Sequence, residues 1–354
     1  MKVGTITFHW ATNYGAVLQA FALQTFLSKN GFDSEIIRYL PRQTMVLQKI
    51  SWFIRGEFSN FKKEKKISFF RQKYMILSKG KYYSNRDLRK KRKEYDAIIC
   101  GSDQVWNFSF LEYAERNKTT LSYYLNFVDS QVQRIAYATS FGTDVIPPKY
   151  IHEIKHELSK FNQIGVRENT AKHMLEEIGL QSQVVLDPTL LLDKGDYEKL
   201  LKKGEKMQKF DFFPFVLHEN QELAEQCKQY ILSSKKEWIN HYSDAPLSVE
   251  EWLFHEKNTQ LVLTNSFHST VFAVLFHTPF IVVPVKGSNM NDRIETFLSV
   301  LGLEEHYVKE YDEKKIEQLL QKQIDWELVD RKLDCEKKKS QQFLLNSLKN
   351  CTKR

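Results

Sequence analysis

Four short polar stretches of this 354-residue chain carry the side chains best suited to chemistry. The first is His9-Trp10-Ala11-Thr12-Asn13-Tyr14-Gly15, set between the apolar run Val3–Phe8 and a helical pattern. Asn13 is placed to cap that helix, and Gly15 lets a ligand come close to the backbone. A helix start also offers N–H groups to an anion, although plain capping accounts for the same residues. The second stretch, Gly101-Ser102-Asp103-Gln104-Val105-Trp106-Asn107, runs from small to polar to aromatic. It suits a ligand loop, or a capped turn with Trp106 in the core. The third is Arg167-Glu168, at the end of another apolar run. The forked guanidinium matches a phosphate or carboxylate, and an internal ion pair with Glu168 or Asp187 is the structural alternative. The fourth, Asn265-Ser266-Phe267-His268-Ser269-Thr270, opens the strongly apolar helix Val271–Phe276. A His at such a helix mouth can donate a proton or polarise a phosphate, or it can serve the structure alone.

One formal motif points elsewhere. His152-Glu153-Ile154-Lys155-His156 matches the H-E-x-x-H zinc pattern, with Glu176 downstream. The apolar stripe of that helix is Ile151, Ile154, Leu158 and Phe161, so both His read as its solvated side and no metal centre is expected. Four Cys, at 100, 227, 335 and 351, lack metal or redox spacing, which fits a reducing compartment rather than a disulfide scaffold.

The elements that must position these residues alternate. Val3–Phe8, Glu35–Tyr39, Asp96–Cys100, Arg134–Ser140, Gln163–Arg167 and Val184–Leu186 read as strands, with helical patterns at Val17–Leu27, Lys149–Phe161 and Asn169–Ile178. Strand, helix and strand within about 40 residues make a βαβ unit and hence a parallel sheet. The rhythm lapses over Asp193–Lys209. It resumes at Phe212–Leu217, Glu222–Ser233, Trp238–His241, Val249–His255, Leu261–Thr264, His268–Phe276 and Phe280–Val283, before a long polar helix over 325–349. The reading is α/β: two doubly wound domains facing a cleft. They span 1–195, with a basic insertion at about 45–93, and 205–324, followed by a helical tail, 325–354. In such sheets ligands bind beyond the carboxyl ends of the strands, where all four polar stretches fall.

Composition sets the outer bounds. With 42% hydrophobic and 27% charged residues the chain is an ordinary globular protein. No secretory signal and no run of about 18 apolar residues is evident, so a cytoplasmic protein is expected. The net charge of +8 is concentrated: residues 61–93 hold 14 Lys and Arg against Glu64 and Asp87. That stretch reads as a solvated insertion, or as a surface for anionic lipid or a lipid-linked substrate at the inner face of the membrane. Nucleic acid ranks last, because no nucleic-acid motif accompanies the charge.

Taken in order, these residues resemble the polysaccharide pyruvyl transferase family. The matching pieces are Asn13–Ala20, Gly101–Asn107, Ala136–Gly142, Val166–Glu168, Val185–Leu191 and Thr264–Phe272. The resemblance implies two Rossmann-like domains of GT-B-like fold. It implies transfer of a pyruvyl group from phosphoenolpyruvate to two sugar hydroxyls, giving a cyclic ketal in cell-surface or exopolysaccharide biosynthesis. Phosphoenolpyruvate is the donor substrate, with no cofactor and no metal, and the acceptor is a sugar or lipid-linked oligosaccharide. Arg167 and the helix start at Asn13, Tyr14 and Gly15 would hold the donor, His268 would act on it, and Asp103 would take the acceptor proton. Ser102, Asn265 and Ser266 complete the expected binding set. Family members carry Arg-Leu-His where this chain has Ser266-Phe267-His268. Arg293, Lys286 or Arg134 would have to replace that cation. The alternatives are a GT-B glycosyltransferase using a nucleotide sugar, and a catalytically silent glycan- or anion-binding protein.

Overall fold

In β1 (Lys2–Ile6) every residue after Lys2 is buried, as in a strand covered on both faces, and the strand pairs in parallel with a neighbour on each side. The computed structural model describes residues 1–91, 94–111, 120–201, 209–217, 221–240, 245–286 and 291–349. The chain forms two compact units, Met1–Leu192 with Glu336–Arg354, and Asp193–Cys335.

In the first unit β1 leads through helix α1 (Tyr14–Lys29) to β2 (Asp33–Tyr39). Then come α2 (Arg42–Ile54), α3 (Phe58–Tyr74), β3 (Leu77–Tyr82), β4 (Ala97–Cys100) and β5 (Gln133–Thr139). Helix α4 (Pro148–Leu158), β6 (Gln163–Val166), α5 (Asn169–Glu177) and β7 (Gln183–Val184) complete the alternation. The seven strands are parallel in the order β3-β2-β1-β4-β5-β6-β7. Helix α1 is buried almost all round. Its Gln24 Nε2 donates to the carbonyls of Ser34 and Ile76, and its Oε1 accepts from the Ile76 amide, which ties α1 to β2 and to the start of β3.

The basic stretch is not an insertion that interrupts this rhythm, as its composition suggested. It supplies α3, whose Ile67, Phe70 and Arg71 are buried, and β3, the edge strand of the sheet. A charged sequence forms a strand here because an edge strand is solvated along one side. Arg92 and Lys93 lie outside the described residues.

In the second unit β8 (Phe212–Phe215) precedes α6 (Glu222–Ser234), α7 (Val249–Asn258) and β9 (Leu261–Thr264). Then follow α8 (Phe267–Phe276), β10 (Phe280–Val282), α9 (Asp292–Leu301), α10 (Glu313–Gln321) and α11 (Trp326–Lys349). Strands β10, β9 and β8 form a parallel sheet in that order. Single parallel bridges, Phe212 to Asn240 and Val282 to Tyr307, extend it on either side. The strand expected at Trp238–His241 is thus one bridge at Asn240, and His241 is outside the described residues. Helix α11 starts in this unit, and its residues from Glu336 belong to the first. There Phe343 packs on β6 at Gly165, where an added Cβ would lie 2.8 Å from the Phe343 ring.

Helices α7 and α8 pack around one buried acid. Ser269 Oγ donates to Glu256 Oε1 at 2.6 Å, and burial pushes the Glu256 carboxyl well above its usual 4.5. The folded chain therefore holds a proton that the unfolded chain releases, and stability falls as pH rises above about 4.5 towards the raised value. Glu256→Gln keeps the acceptor oxygen and removes the titration. Melting temperatures measured from pH 5 to 8 should show this variant gaining on the wild type as pH rises. A difference that stays flat with pH would mean Glu256 is ionised in the folded state.

Candidate functional site

Strands β1 and β4 are neighbours, yet the chain proceeds from them towards opposite edges of the sheet. The crevice at their carboxyl ends is the topological switch point, where open α/β sheets bind ligands. Its two lips are tied together. Thr7 Oγ1, after β1, donates to the Ser102 carbonyl, after β4, at 2.7 Å. Gln19 Nε2 of α1 donates to Thr7 Oγ1 at 2.8 Å and to the Ala16 carbonyl at 2.9 Å. Asn13 is the N-cap of α1, its Oδ1 accepting from the Ala16 amide at 3.1 Å. Tyr14 and Gly15 are buried behind it, and the Lys63 ammonium lies 4.4 Å from the centre of the Tyr14 ring. Burial lowers the Lys63 pKa to about 8.

Arg167, just after β6, reaches the β4 side of this crevice, its side chain 1% exposed. Nη1 lies 3.3 Å from Asp187 Oδ2 and 3.5 Å from Ser102 Oγ; Nε lies 3.8 Å from Glu168 Oε2, and Nη2 4.0 Å from Asp103 Oδ1. Ser102 Oγ itself donates to Asp187 Oδ2 at 2.8 Å. One guanidinium thus faces three carboxyl groups, and the internal ion pair is the arrangement found. Asp103 is held in the left-handed region at φ 86°, a conformation that costs a non-glycine residue about 1–3 kcal/mol. Its surroundings impose it: the Asp103 carbonyl accepts from the amides of Val105 and Ser140, and Oδ1 accepts from the Gln104 amide. Facing it, Ala138 also has positive φ, where the β5–β6 register shifts.

Two positioning residues escaped the sequence reading. Arg71, buried in α3, donates through Nη2 to the carbonyls of Trp10 and Ala11 and through Nη1 to Glu64 Oε1 at 2.8 Å. Glu64 Oε2 accepts from Thr12 Oγ1 at 2.6 Å. Helix α3 thereby fixes the whole β1–α1 loop. The signal was visible as a Glu and an Arg seven residues apart on one helix, but the surrounding lysines masked it. Burial, reinforced by Arg71, drives the His9 pKa down to about 3, so His9 is neutral in the same loop.

The second unit repeats the device. With Asn240 bridged to β8 on one side and β9 on the other, its switch point lies between β8 and β9. Asn265 Oδ1 accepts from the Leu217 amide at 2.7 Å, and Nδ2 donates to the Leu217 carbonyl at 2.8 Å, joining the two lips. Ser266 is the N-cap of α8, its Oγ accepting from the Ser269 amide. His268 is the second residue of α8 and is buried, its ring 5.2 Å from that of Phe267. The Arg293 guanidinium lies 5.9 Å from the Phe267 ring centre, and Asn291 beside it is doubly bonded to the backbone of Val285.

The three candidate cations therefore separate. Arg293 is next to the α8 start. Lys286 is exposed, with its amide on Gln221. Arg134 stands at the amino end of β5, donating to the Val128 carbonyl and facing Glu157. The strands are parallel, so Arg134 is at the edge of the sheet opposite the polar loops and cannot serve there. His152 and His156 are exposed on α4, and among the described residues no cluster of His, Cys, Asp and Glu is arranged to hold a metal ion.

The polysaccharide pyruvyl transferase family model matches residues 13–287, a span that runs from the N-cap of α1 through the β4 side of the first switch point and the whole of the second. The chain belongs to this family. No curated sequence relative was found. Solved structures of similar fold include the UDP-N-acetylglucosamine 2-epimerase of Rickettsia bellii, at 10% identity over 98% of this chain and 96% of that one (TM-score 0.55). UDP-GlcNAc 2-epimerases from Methanocaldococcus jannaschii (14%, 92% and 93%, 0.50) and Neisseria meningitidis (10%, 99% and 100%, 0.50) are also similar. These likenesses establish the fold, α/β of the GT-B-like kind. In this pyruvyl transferase family member, Arg167→Met should lower stability by about 3–5 kcal/mol, because it leaves Asp103, Glu168 and Asp187 without their shared cation. Urea denaturation measures this. Unchanged stability would show that the guanidinium is not what holds the crevice together.

Proposed function

We propose that the protein transfers a pyruvyl group from phosphoenolpyruvate to a sugar diol, on a free sugar or a lipid-linked oligosaccharide at the inner membrane face. The reading is carried by the family match over 13–287, with His268 buried at the start of a helix beyond a switch-point strand. The start of α8 carries the positive end of the helix dipole, which suits the donor's phosphate or carboxylate. Arg293, against Phe267, supplies the cation that Ser266 lacks. His268 delivers a proton to the methylene carbon, and C2 becomes cation-like. A sugar hydroxyl oxygen bonds to C2 and gives its proton to a general base. The C2–O bond to phosphate breaks, phosphate leaves with the bonding pair, and the second hydroxyl oxygen bonds to C2 and closes the ketal, its proton passing to the departing phosphate. In the first unit Arg167 acts by positioning Asp103 and Ser102.

Phosphate release from phosphoenolpyruvate with candidate sugars tests the reaction. Nucleotide release from a nucleotide sugar would favour a glycosyltransferase, and no turnover would favour a binding protein. His268→Ala should lower turnover by about 10²-fold or more with the fold intact, as for loss of a general acid. Full activity would remove His268 from the mechanism. Arg293→Gln should raise the KM for phosphoenolpyruvate several-fold and Lys286→Gln should not; equal effects would leave the missing charge unassigned.

A further inference from the structure

Helix α2 turns its apolar residues outward. Val46, Leu47, Ile50, Phe53 and Ile54 are all at least 46% exposed, with Phe53 at 68% and Ile54 at 76%. At 100° per residue they fall in one sector of about 120°. Phe58, 59% exposed at the start of α3, extends the patch, its ring 6.4 Å from that of Phe53. The inner side of the helix pair is ordinary core: Trp52 is buried and its ring meets Phe61 at 5.5 Å. The outward stripe is therefore not needed to hold α2 against α3.

Its surroundings are cationic. Residues 42–74 contain nine Lys and Arg against two Glu. Lys49, Arg55, Lys62, Lys65 and Lys73 are exposed, while Glu64 is engaged by Arg71. Leu47 also lines a cavity of about 490 Å³ whose other walls include Phe8 and Trp10 of the first switch-point loop, Pro41 and Tyr123. The apolar stripe thus adjoins an apolar hollow beside the β1 loop.

We propose that the α2–α3 helix pair is a membrane-docking surface that inserts the Leu47–Phe58 stripe among the headgroups of an anionic bilayer. This goes beyond the pyruvyl-transfer reading and does not depend on it. Charge selects the occupant. A second copy meeting the same face across a two-fold axis would bring two strongly cationic segments together. A nucleic acid would satisfy the lysines and leave Phe53 and Ile54 without purpose. An anionic lipid surface meets both needs: aliphatic and aromatic side chains enter the interface while each nearby Lys or Arg is drawn to the anionic headgroups. The docked patch lies at the α2–α3 turn, upstream of the densest run of lysines and arginines at Arg89–Lys93.

Flotation with vesicles of phosphatidylglycerol and phosphatidylcholine, and with vesicles of phosphatidylcholine alone, tests this. The full-length protein should float with the first at low salt and not with the second. The triple variant Phe53→Ser, Ile54→Ser, Phe58→Ser should lose at least about tenfold in vesicle affinity, and so should Lys49→Gln, Lys62→Gln, Lys65→Gln. Both should keep the wild-type melting temperature, because every changed side chain is exposed. Phosphate release with a soluble acceptor should be unchanged, which separates failure of docking from failure of the chemistry. Absent flotation at low salt, or flotation indifferent to the serine variant, would overturn the proposal. So would a dimer in sedimentation equilibrium that the serine variant abolishes, or duplex DNA binding that it abolishes.

Discussion

A guanidinium taken out of water must find anions or donate its hydrogen bonds elsewhere, and Arg167 meets three carboxyl groups at the carboxyl edge of the first sheet. Each belongs to a different piece of chain. Asp103 comes from the loop after β4, Glu168 from the start of α5, and Asp187 from the segment after β7. One cation thus sets the spacing of three strand ends. Asp187 passes the restraint on, accepting from both the amide and the hydroxyl of Thr189. The left-handed conformation of Asp103 is held by its own backbone: its carbonyl accepts from the Val105 and Ser140 amides, which joins the β4 and β5 loops, and its carboxyl group ends 4.0 Å from the guanidinium.

The two units solve the same mechanical problem with different chemistry. At a switch point the chain leaves neighbouring strands in opposite directions, so no continuing ladder holds the two loops together. In the first unit a hydroxyl closes the gap, Thr7 to the Ser102 carbonyl, with Gln19 behind it. In the second an amide does so, Asn265 bonding the Leu217 backbone twice. This bears on how the polar residues are to be read. Asn13, Asn265 and Ser266 all spend their side chains on backbone, so their contribution to any ligand is to orient N–H groups and helix starts. Ser102 and Asp103 likewise contribute as parts of the Arg167 cluster.

The alternation of strands and helices was legible because buried parallel strands are apolar without interruption and their connections are helices of ordinary length. The four polar stretches were legible for the same reason, since each follows such a strand. What the sequence hid was charge used internally. The lysines around Glu64 and Arg71 made residues 61–93 look like one solvated insertion, yet those two side chains pin the β1 loop and the segment ends in an edge strand. Arg134 shows the converse limit. Its residue type suited an anion, but only strand direction reveals that it stands at the wrong edge of the sheet.

The position of Arg293 has a further consequence for the lost family arginine. In the family pattern the cation precedes the motif His by two residues, which is the N-cap position of α8. An arginine there cannot also cap the helix, because its side chain offers no acceptor. Ser266 accepts from the Ser269 amide and so secures the helix start itself, while Arg293, on the next helix, brings a guanidinium to the adjacent Phe267 ring. The helix cap and the guanidinium beside Phe267 thus come from two different elements. Ser269 donates its hydroxyl to Glu256 while its amide serves the cap. The α8 start that carries His268 is therefore anchored from the preceding helix, α7, as well as from the strand before it.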